Sequence, residues 1–360
     1  MSGVLEIMQY ASPYAGSFLT AMTALAEAQR AQGMQPVFVF PEAARQRDWT
    51  DMLREKEIPV YFLPQGTLRR AAFFRRLLRQ YAVQVVHTHF IDHAVYVPLR
   101  AACFGRRIPH VFHAHSLPRF SPDGRALALR RALMHPSCVI CVSDAVRQAY
   151  EQRGFADCVT IVNGVDFSRL DAGEAQRIDA RPTVLMFGYD FHVKGVDTAL
   201  EAFDAFDPQQ KYMLAVCVAS HRDRAQAYLR ERFGCVPDRV RLLGPRQDVG
   251  VYFRAADVFL SASRTEGLGN AVLEAAYCGR PIVLSDIPAH RFLALPEVDF
   301  FPPEDTRALY DAVERACAKK DDGVNKAFVC ERYALREWTR AVCAQLREQI
   351  RRADASGGSK

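Results

Sequence analysis

The stretch SRTEGLGNAVLEAAYCGRPIVLSD follows the strand-like run DVFLS and holds the residues of this 360-residue chain best placed to do chemistry. Gly267 and Gly269 let the backbone approach a ligand closely, and the helix that starts near Asn270 aims its free amides and positive dipole end at the same place. Such a turn accepts an anion. Glu266 stands just before this helix and Glu274 inside it, and two carboxylates beside an anion site call for neutral hydroxyl donors rather than a second phosphate. A sugar joined to a phosphate meets both demands. The spacing alone equally suits two surface glutamates flanking an ordinary strand-to-helix turn.

What is absent narrows the chemistry further. Neither glycine-rich nucleotide fingerprint, G-x-G-x-x-G or G-x-x-x-x-G-K-[ST], occurs, so dinucleotide redox and P-loop chemistry lose their usual support. No Asp-x-Asp occurs, which leaves a metal-bridged diphosphate site of that common type without an anchor. The single C-x-x-C, Cys138 to Cys141, lies inside the apolar run CVICVS with no second Cys or His pair at zinc-ligand spacing. The ten cysteines read as reduced core thiols, and no metal is expected.

Charge is concentrated in the first half. Residues 1–180 carry 21 basic and 16 acidic side chains, against 26 and 25 in residues 181–360, and no acid occurs between Glu57 and Asp92. That window contains TLRRAAFFRRLLRQY. At about 100° per residue, Arg69, Arg75, Arg76 and Arg79 share one arc of about 120°, with Ala71, Phe74, Leu77, Leu78 and Tyr81 opposite. A basic amphipathic helix of this kind is either a solvated face over a packed stripe or a surface for anionic lipid or a pyrophosphate-bearing acceptor. Nucleic acid is not expected, because no basic-and-aromatic stacking platform accompanies it.

The elements that must position these residues alternate between short β-rich runs and helical segments, the pattern of parallel sheets wound with helices on both faces. In the first half the strands are VLEIM, QPVFVF, PVYFL, QVVHTH, HVFHAH, CVICVS and VTIV, with helices expected over 16–32, 43–56, 67–81, 92–104, 123–134 and 144–153. After the polar, aperiodic connection SRLDAGEAQRIDARP the scheme repeats with TVLMFG, YMLAVCV, RVRLLG, DVFLSAS and PIVLSD, then VDFFP, with helices over 195–206, 222–233, 247–255, 269–278, 304–318 and 335–352. At about 150 residues per domain, 49% apolar and 24% charged residues fit two globular domains, over 1–167 and 181–334, with a closing helix at 335–352 that crosses back to the first. A ligand cleft is expected where the strands of two such domains end. Glu6 breaks the first apolar run and Glu27 closes the second, so no stretch reaches the roughly 20 apolar residues of a membrane span. MSGVLEIMQY lacks a basic n-region and reads as a strand, which places the chain in the cytoplasm, at the inner face of the membrane if the basic helix binds there.

Glu266 to Glu274 reproduces an E-x7-E element, and with its surroundings it resembles family 4 of the retaining glycosyltransferases, whose GT-B architecture is two Rossmann-like domains. FGYDFHVKGVDTALEAF looks like their phosphate-binding strand-loop-helix, IVNGVDFSRL like the segment closing the first domain, and CVSDAVRQAY like the strand and helix before it. RLLGPRQDVGVYFRAADVFLSAS resembles the nucleotide-side stretch and ALREWTRAVCAQL the closing helix, so the likeness runs in order along nearly the whole chain.

The resemblance implies that Glu274 binds the ribose of a sugar nucleotide, that Glu266 contacts the donor sugar and that Lys194 pairs with the diphosphate. Gly188, Arg246 and the segment Gly267, Leu268, Gly269, Asn270 and Ala271 would complete the donor site, with Gly16 approaching from the first domain. His115 resembles the histidine near the reacting carbon, with His113 the competing choice, and His87, His89 and His113 would line the acceptor side. Two departures stand out: the arginine usual five positions before the lysine is Tyr189, for which Arg246, Arg264 and His192 are the candidate replacements, and the glycine loop is Ala15-Gly16 rather than two glycines.

Transfer from a nucleoside diphosphate sugar, UDP before GDP, to a hydroxyl acceptor with retention and without metal is the implied reaction. The acceptor is expected to be lipid-linked or otherwise anionic, in envelope polysaccharide or glycolipid synthesis. A double displacement needs carboxylates about 5–5.5 Å apart across the anomeric centre, whereas both glutamates lie on one short segment, so a same-face reaction fits better. Two further readings remain at this point: a catalytically silent sugar-nucleotide-binding or partner-binding subunit, and a nucleotide-sugar epimerase on the same fold.

Overall fold

In a computed structural model, which describes residues 2–118, 136–218, 221–244, 248–319 and 323–355, the chain divides into two compact units. The first comprises Met1–Gly164 with Leu335–Lys360 and the second Val165–Ala334. The helix expected over 123–134 lies outside the described residues.

The first unit is a seven-stranded sheet of β1 (Ser2–Met8), β2 (Met34–Pro41), β3 (Val60–Leu63), β4 (Val83–His89), β5 (His110–Ala114), β6 (Cys138–Cys141) and β7 (Cys158–Thr160). Their order is β3-β2-β1-β4-β5-β6-β7, and every pairing is parallel. Burial on both faces explains why the strands read as near-continuous apolar runs rather than alternating ones. The exceptions are informative, because the register sets Glu6 beside His87 and His89 beside His113. Side chains two apart on a strand share a face. HTH and HAH therefore put four imidazoles on the same face as Glu6. That face is covered by helix Gly16–Ala31 and by helix Leu335–Ala355, whose Trp338, Val342, Cys343 and Leu346 pack with Val4, Met8, Leu19 and Met22.

The second unit is a six-stranded sheet of β8 (Thr183–Phe187), β9 (Met213–Cys217), β10 (Val240–Leu243), β11 (Val258–Ser261), β12 (Ile282–Ser285) and β13 (Asp299–Phe301), ordered β10-β9-β8-β11-β12-β13 and parallel throughout. The strand order reverses between β8 and β11, and ligands of open α/β sheets bind beyond the carboxyl ends of strands at such a point. The loops leaving β8 and β11 carry Lys194 and Glu266.

Three local departures from the sequence reading have physical causes. The helix expected over 43–56 is a 3-10 turn at Glu42–Ala44 and a separate helix Trp49–Glu55. Between them Arg47 Nε donates to Ala11 O at 3.1 Å and Trp49 Nε1 to Ser12 O at 2.9 Å, tying this segment to the loop after β1. The polar connection after Phe167 contains a one-turn helix, Ser168–Asp171, and belongs to the second unit. Helices Pro288–Phe292 and Val324–Arg332 were too short or too weakly periodic to be read from the sequence.

Candidate functional site

In the second unit the site begins with two glycines that nothing larger can replace. A Cβ on Gly188 would stand 2.5 Å from Val196 Cγ2, and one on Gly195, at φ +64°, 1.9 Å from Ala262 O. These close approaches press the β8 loop onto helix Val196–Phe206 and β11, and the turn is held by Lys194 N donating to Asp190 O at 3.0 Å. Lys194 then projects so that its Nζ lies 2.6 Å from Glu266 Oε1, with both side chains nearly buried. Ser263 Oγ donates to the same oxygen at 2.8 Å. Burial pulls the Lys194 ammonium towards neutrality, but Glu266 and Tyr189 outweigh it, so its pKa lies above the ordinary value and the charge is kept. A buried cation of this kind is ready for a phosphate, and a buried carboxylate beside it for hydroxyls.

Gly269, at φ +96°, starts helix Asn270–Tyr277. Gly267 and Leu268 are buried, Asn270 and Ala271 half-buried, and Glu274 is 5% exposed on the helix's inward side. Burial raises the pKa of Glu274, against the lowering influence of Arg169, whose guanidinium Nη2 pairs with Glu274 Oε1. Arg169 escaped sequence reasoning because it sits in a polar segment without periodicity. Its one available signal was its place just after NGVD.

The position of the missing arginine is taken by Tyr189, whose ring centroid lies 4.9 Å from Lys194 Nζ, so an aromatic face stands where a second cation was expected. Of the candidate replacements, Arg264 is already committed: it donates to Asp197 Oδ1 and Glu304 Oε1 at 2.8 Å each, to Thr198 Oγ1 at 3.1 Å and to His192 O. His192 is exposed with Nδ1 3.1 Å from Asp197 Oδ2, and Arg246 lies outside the described residues. His290, unforeseen, is buried, with Nε2 3.2 Å from Ser261 Oγ and Nδ1 2.8 Å from Ser285 O.

In the first unit, Gly16 at φ +59° opens helix Gly16–Ala31, and the loop before it is folded by Tyr10 Oη donating to Tyr14 O and Ala15 O. His87, His89 and His113 are fully buried and His115 half-buried. His89 Nδ1 lies 2.9 Å from His115 Nε2, and His113 Nδ1 3.3 Å from His87 Nε2. The rings of His113 and His115 stack at 4.5 Å. Burial first, and neighbouring imidazoles second, hold His89 and His113 well below the ordinary histidine pKa, and burial with His87 takes His115 down to about 3. Beneath them Glu6, fully buried, accepts from Gln29 Nε2 at 2.7 Å and places Oε2 2.8 Å from His87 Nδ1 and 3.5 Å from His89 Nε2. Neither approach has the angle of a hydrogen bond, and both nitrogens are otherwise unpartnered. No lysine or arginine faces Glu6 among the described residues.

One ring nitrogen from each of His87, His89 and His113 lies within 4.8 Å of the others, close enough to suggest a metal. The 3.3 Å contact between His87 Nε2 and His113 Nδ1 pairs one donor with one acceptor.

Arg69, Arg75, Arg76 and Arg79 stand exposed on helix Thr67–Gln80, over buried Phe74, Leu77 and Leu78. None meets a carboxylate among the described residues. Leu68 and Phe104 are 87% and 88% exposed. No helix among the described residues is long and apolar enough to cross a membrane.

Two parallel doubly wound sheets, with a buried lysine and carboxylate at the switch point of the second, define the GT-B class. Anabaena HepE, solved with UDP and glucose, has the same fold: TM-score 0.75, 18% identity, 97% of this chain and all of that one covered. The family model "Glycosyltransferase Family 4" matches residues 20–169 and "Glycosyl transferases group 1" residues 181–319. The chain belongs to the group 1, family 4 glycosyltransferases. It is 30% identical over 236 residues to the phosphatidyl-myo-inositol mannosyltransferase of Mycobacterium leprae, covering 61% of this chain and 60% of that one. It is 35% identical over 135 residues to the GDP-mannose:cellobiosyl-diphosphopolyprenol alpha-mannosyltransferase of Xanthomonas campestris, covering 36% and 34%. The chain thus spans at most about 60% of these two relatives.

Proposed function

We propose that the protein transfers a hexose from a nucleoside diphosphate sugar to a hydroxyl of a lipid-linked or anionic acceptor in envelope glycan synthesis, with retention and without a metal in the donor site. The observation that carries this reading is the buried Lys194–Glu266 pair at the β8/β11 switch point. In the free protein the two neutralise each other. A donor diphosphate competes for the ammonium, and the carboxylate it releases accepts sugar hydroxyls. Lys194, with the amides at Gly267 to Ala271, supplies the charge that a departing diphosphate needs, which removes the call for a metal ion there. Arg169 on Glu274 marks the ribose end in the same way.

The relatives' names set GDP-mannose beside UDP-glucose as the first donors to try, the former from the Xanthomonas protein and the latter from HepE, solved with its parts. The decisive experiment is nucleoside diphosphate release from UDP-, GDP- and ADP-hexoses in EDTA, for wild type beside Glu274→Ala. Release from one donor, lost in the variant, is expected; an absolute need for magnesium, or product of inverted anomeric configuration, would sink the mechanism. The place of Tyr189 over Lys194 favours one second reading, a sugar-nucleotide-binding subunit without turnover. Tight donor binding with no release, with or without acceptor extracts, would select it.

The acid-free basic face, with Leu68 exposed on the same helix, supports contact with an anionic membrane surface. Each arginine near such a surface contributes about 1 kcal/mol. Cosedimentation with phosphatidylglycerol vesicles should fall sharply when Arg69, Arg75, Arg76 and Arg79 are replaced by Ala, and binding that persists would remove the membrane from the proposal.

A further inference from the structure

Four polar atoms on fully buried side chains of the first unit's sheet have no hydrogen-bond partner: Glu6 Oε2, His87 Nδ1, His89 Nε2 and His113 Nε2. Each such group destabilises a fold unless something answers it, and a bound ion is one such answer. The rings converge. His87 and His89 stand two apart on β4 and share a face, and the register of β4 with β5 sets His113 opposite His89. One nitrogen from each of the three lies within 4.8 Å of one from each of the others. His87 Nε2 and His113 Nδ1 are 3.3 Å apart, long for a hydrogen bond. Two nitrogens bound to one zinc ion at about 2.0–2.1 Å in a tetrahedral array stand roughly 3.3 Å from each other.

We infer that His87, His89 and His113 form a zinc site inside the first unit, with the Glu6 carboxylate supplying negative charge beside the ion. Imidazole nitrogens suit zinc, whereas magnesium and calcium take oxygen ligands. With the ion bound, His87 Nε2 and His113 Nδ1 both give it their lone pairs, and each neutral ring carries its single proton on its other nitrogen. For His87 that nitrogen is Nδ1, 2.8 Å from Glu6 Oε2, a carboxylate placed behind a ligating histidine as around many zinc ions. His89 has Nε2 free of hydrogen bonds and Nδ1 2.9 Å from His115 Nε2, so it can ligate through one nitrogen and keep a partner on the other. A dication favours the charged form of a neighbouring carboxylate, so the ion and Glu6 stabilise each other where no lysine or arginine does so among the described residues. The site ties together the carboxyl ends of β4 and β5, from which Phe90 and His115 lead. Its ligands come from HTH and HAH on separate strands that only the register joins, so no zinc-ligand spacing marks it in the sequence. No metal is proposed for the donor residues of the second unit, and the zinc site does not rest on the proposed function.

Metal content and metal uptake of the full chain, purified without a histidine tag or chelator, test the site. Elemental analysis should find about one zinc per chain, and X-ray absorption at the zinc edge a shell of imidazole nitrogens without sulfur. After dialysis against a chelator at mildly acidic pH and return to neutrality, the protein should bind one Zn²⁺ with Kd below about 0.1 μM, and Zn²⁺ but not Mg²⁺ should raise its Tm. Co²⁺, used as a coloured probe, should give the visible bands of a tetrahedral site and no thiolate charge transfer. His89→Gln and His113→Gln should abolish those bands, Glu6→Gln should weaken Zn²⁺ binding by about 10–100-fold, and His221→Gln, at an exposed histidine of the second unit, should change neither. A wild-type chain that is purified without zinc and takes up neither Zn²⁺ nor Co²⁺ overturns the inference whether or not the variants fold. Sulfur in the zinc shell, or cobalt bands that persist in folded His113→Gln, overturns it as well.

Discussion

The two units bury carboxylates in opposite ways. Glu266 and Glu274 each face a cation, Lys194 and Arg169, delivered by a loop and a one-turn helix. Glu6 faces no cation among the described residues and lies instead beside His87 and His89, which in turn contact His113 and His115. A cation on a loop can be drawn off by an incoming anion, which is the exchange proposed for Lys194 and Glu266. An imidazole in a packed sheet cannot leave, so the surroundings of Glu6 are fixed by the strands themselves. Glu266 and Glu274 are thus matched by opposite charge, and Glu6 by neighbouring rings.

The largest effect expected from this contrast is at Lys194. Lys194→Ala removes the cation proposed for the diphosphate and leaves Glu266 buried and without that partner, and donor turnover should drop by about 10²–10³-fold, the scale of losing a charge-stabilising donor. A variant that retains most of its turnover in nucleoside diphosphate release would break the comparison, because the cation would then be structural only.

A smaller effect should appear in the acid stability of the first unit. Burial keeps His89 and His113 well below the ordinary pKa of 6.5 and His115 at about 3, with the other imidazoles adding to the shift. Between those values the unfolded chain takes up protons that the folded chain refuses, so stability falls as pH drops from about 6.5 towards 3. His115→Asn removes one such group. Urea midpoints measured across that range should decline less steeply in the variant, and an identical slope would mean that the ring is not held neutral by the fold.

Much of this was legible in the sequence, for identifiable reasons. Parallel strands buried on both faces leave long apolar runs, and both sheets and nearly all their helices follow from that pattern. Lys194, Glu266 and Glu274 stood out in the sequence beside glycines, which the backbone requires at 188 and 195 by close approach and at 269 by its φ of +96°. The pairing of these residues with one another was not, since Arg169 comes from 105 positions away through a segment with no periodicity. Glu6 was visible as an acid interrupting an apolar run, but its meaning depends on register. Only when β1 lies beside β4 with Glu6 opposite His87 does it become the base of a histidine network. The break at residues 45–48 has a similar cause, contacts from Arg47 and Trp49 to a loop that local propensity cannot see.

Helix Leu335–Ala355 seals the face of the first sheet on which Glu6 and the histidines lie, yet it follows the whole second unit in the chain. Synthesis runs from the amino end, and domains generally fold as they are completed. The second unit has all its residues as soon as Ala334 leaves the ribosome, while the first, begun earliest, still lacks part of its cover. The order of birth and the order of completion are therefore reversed. Until helix Leu335–Ala355 is made, the sheet face that carries Glu6 and the histidines lacks that part of its cover.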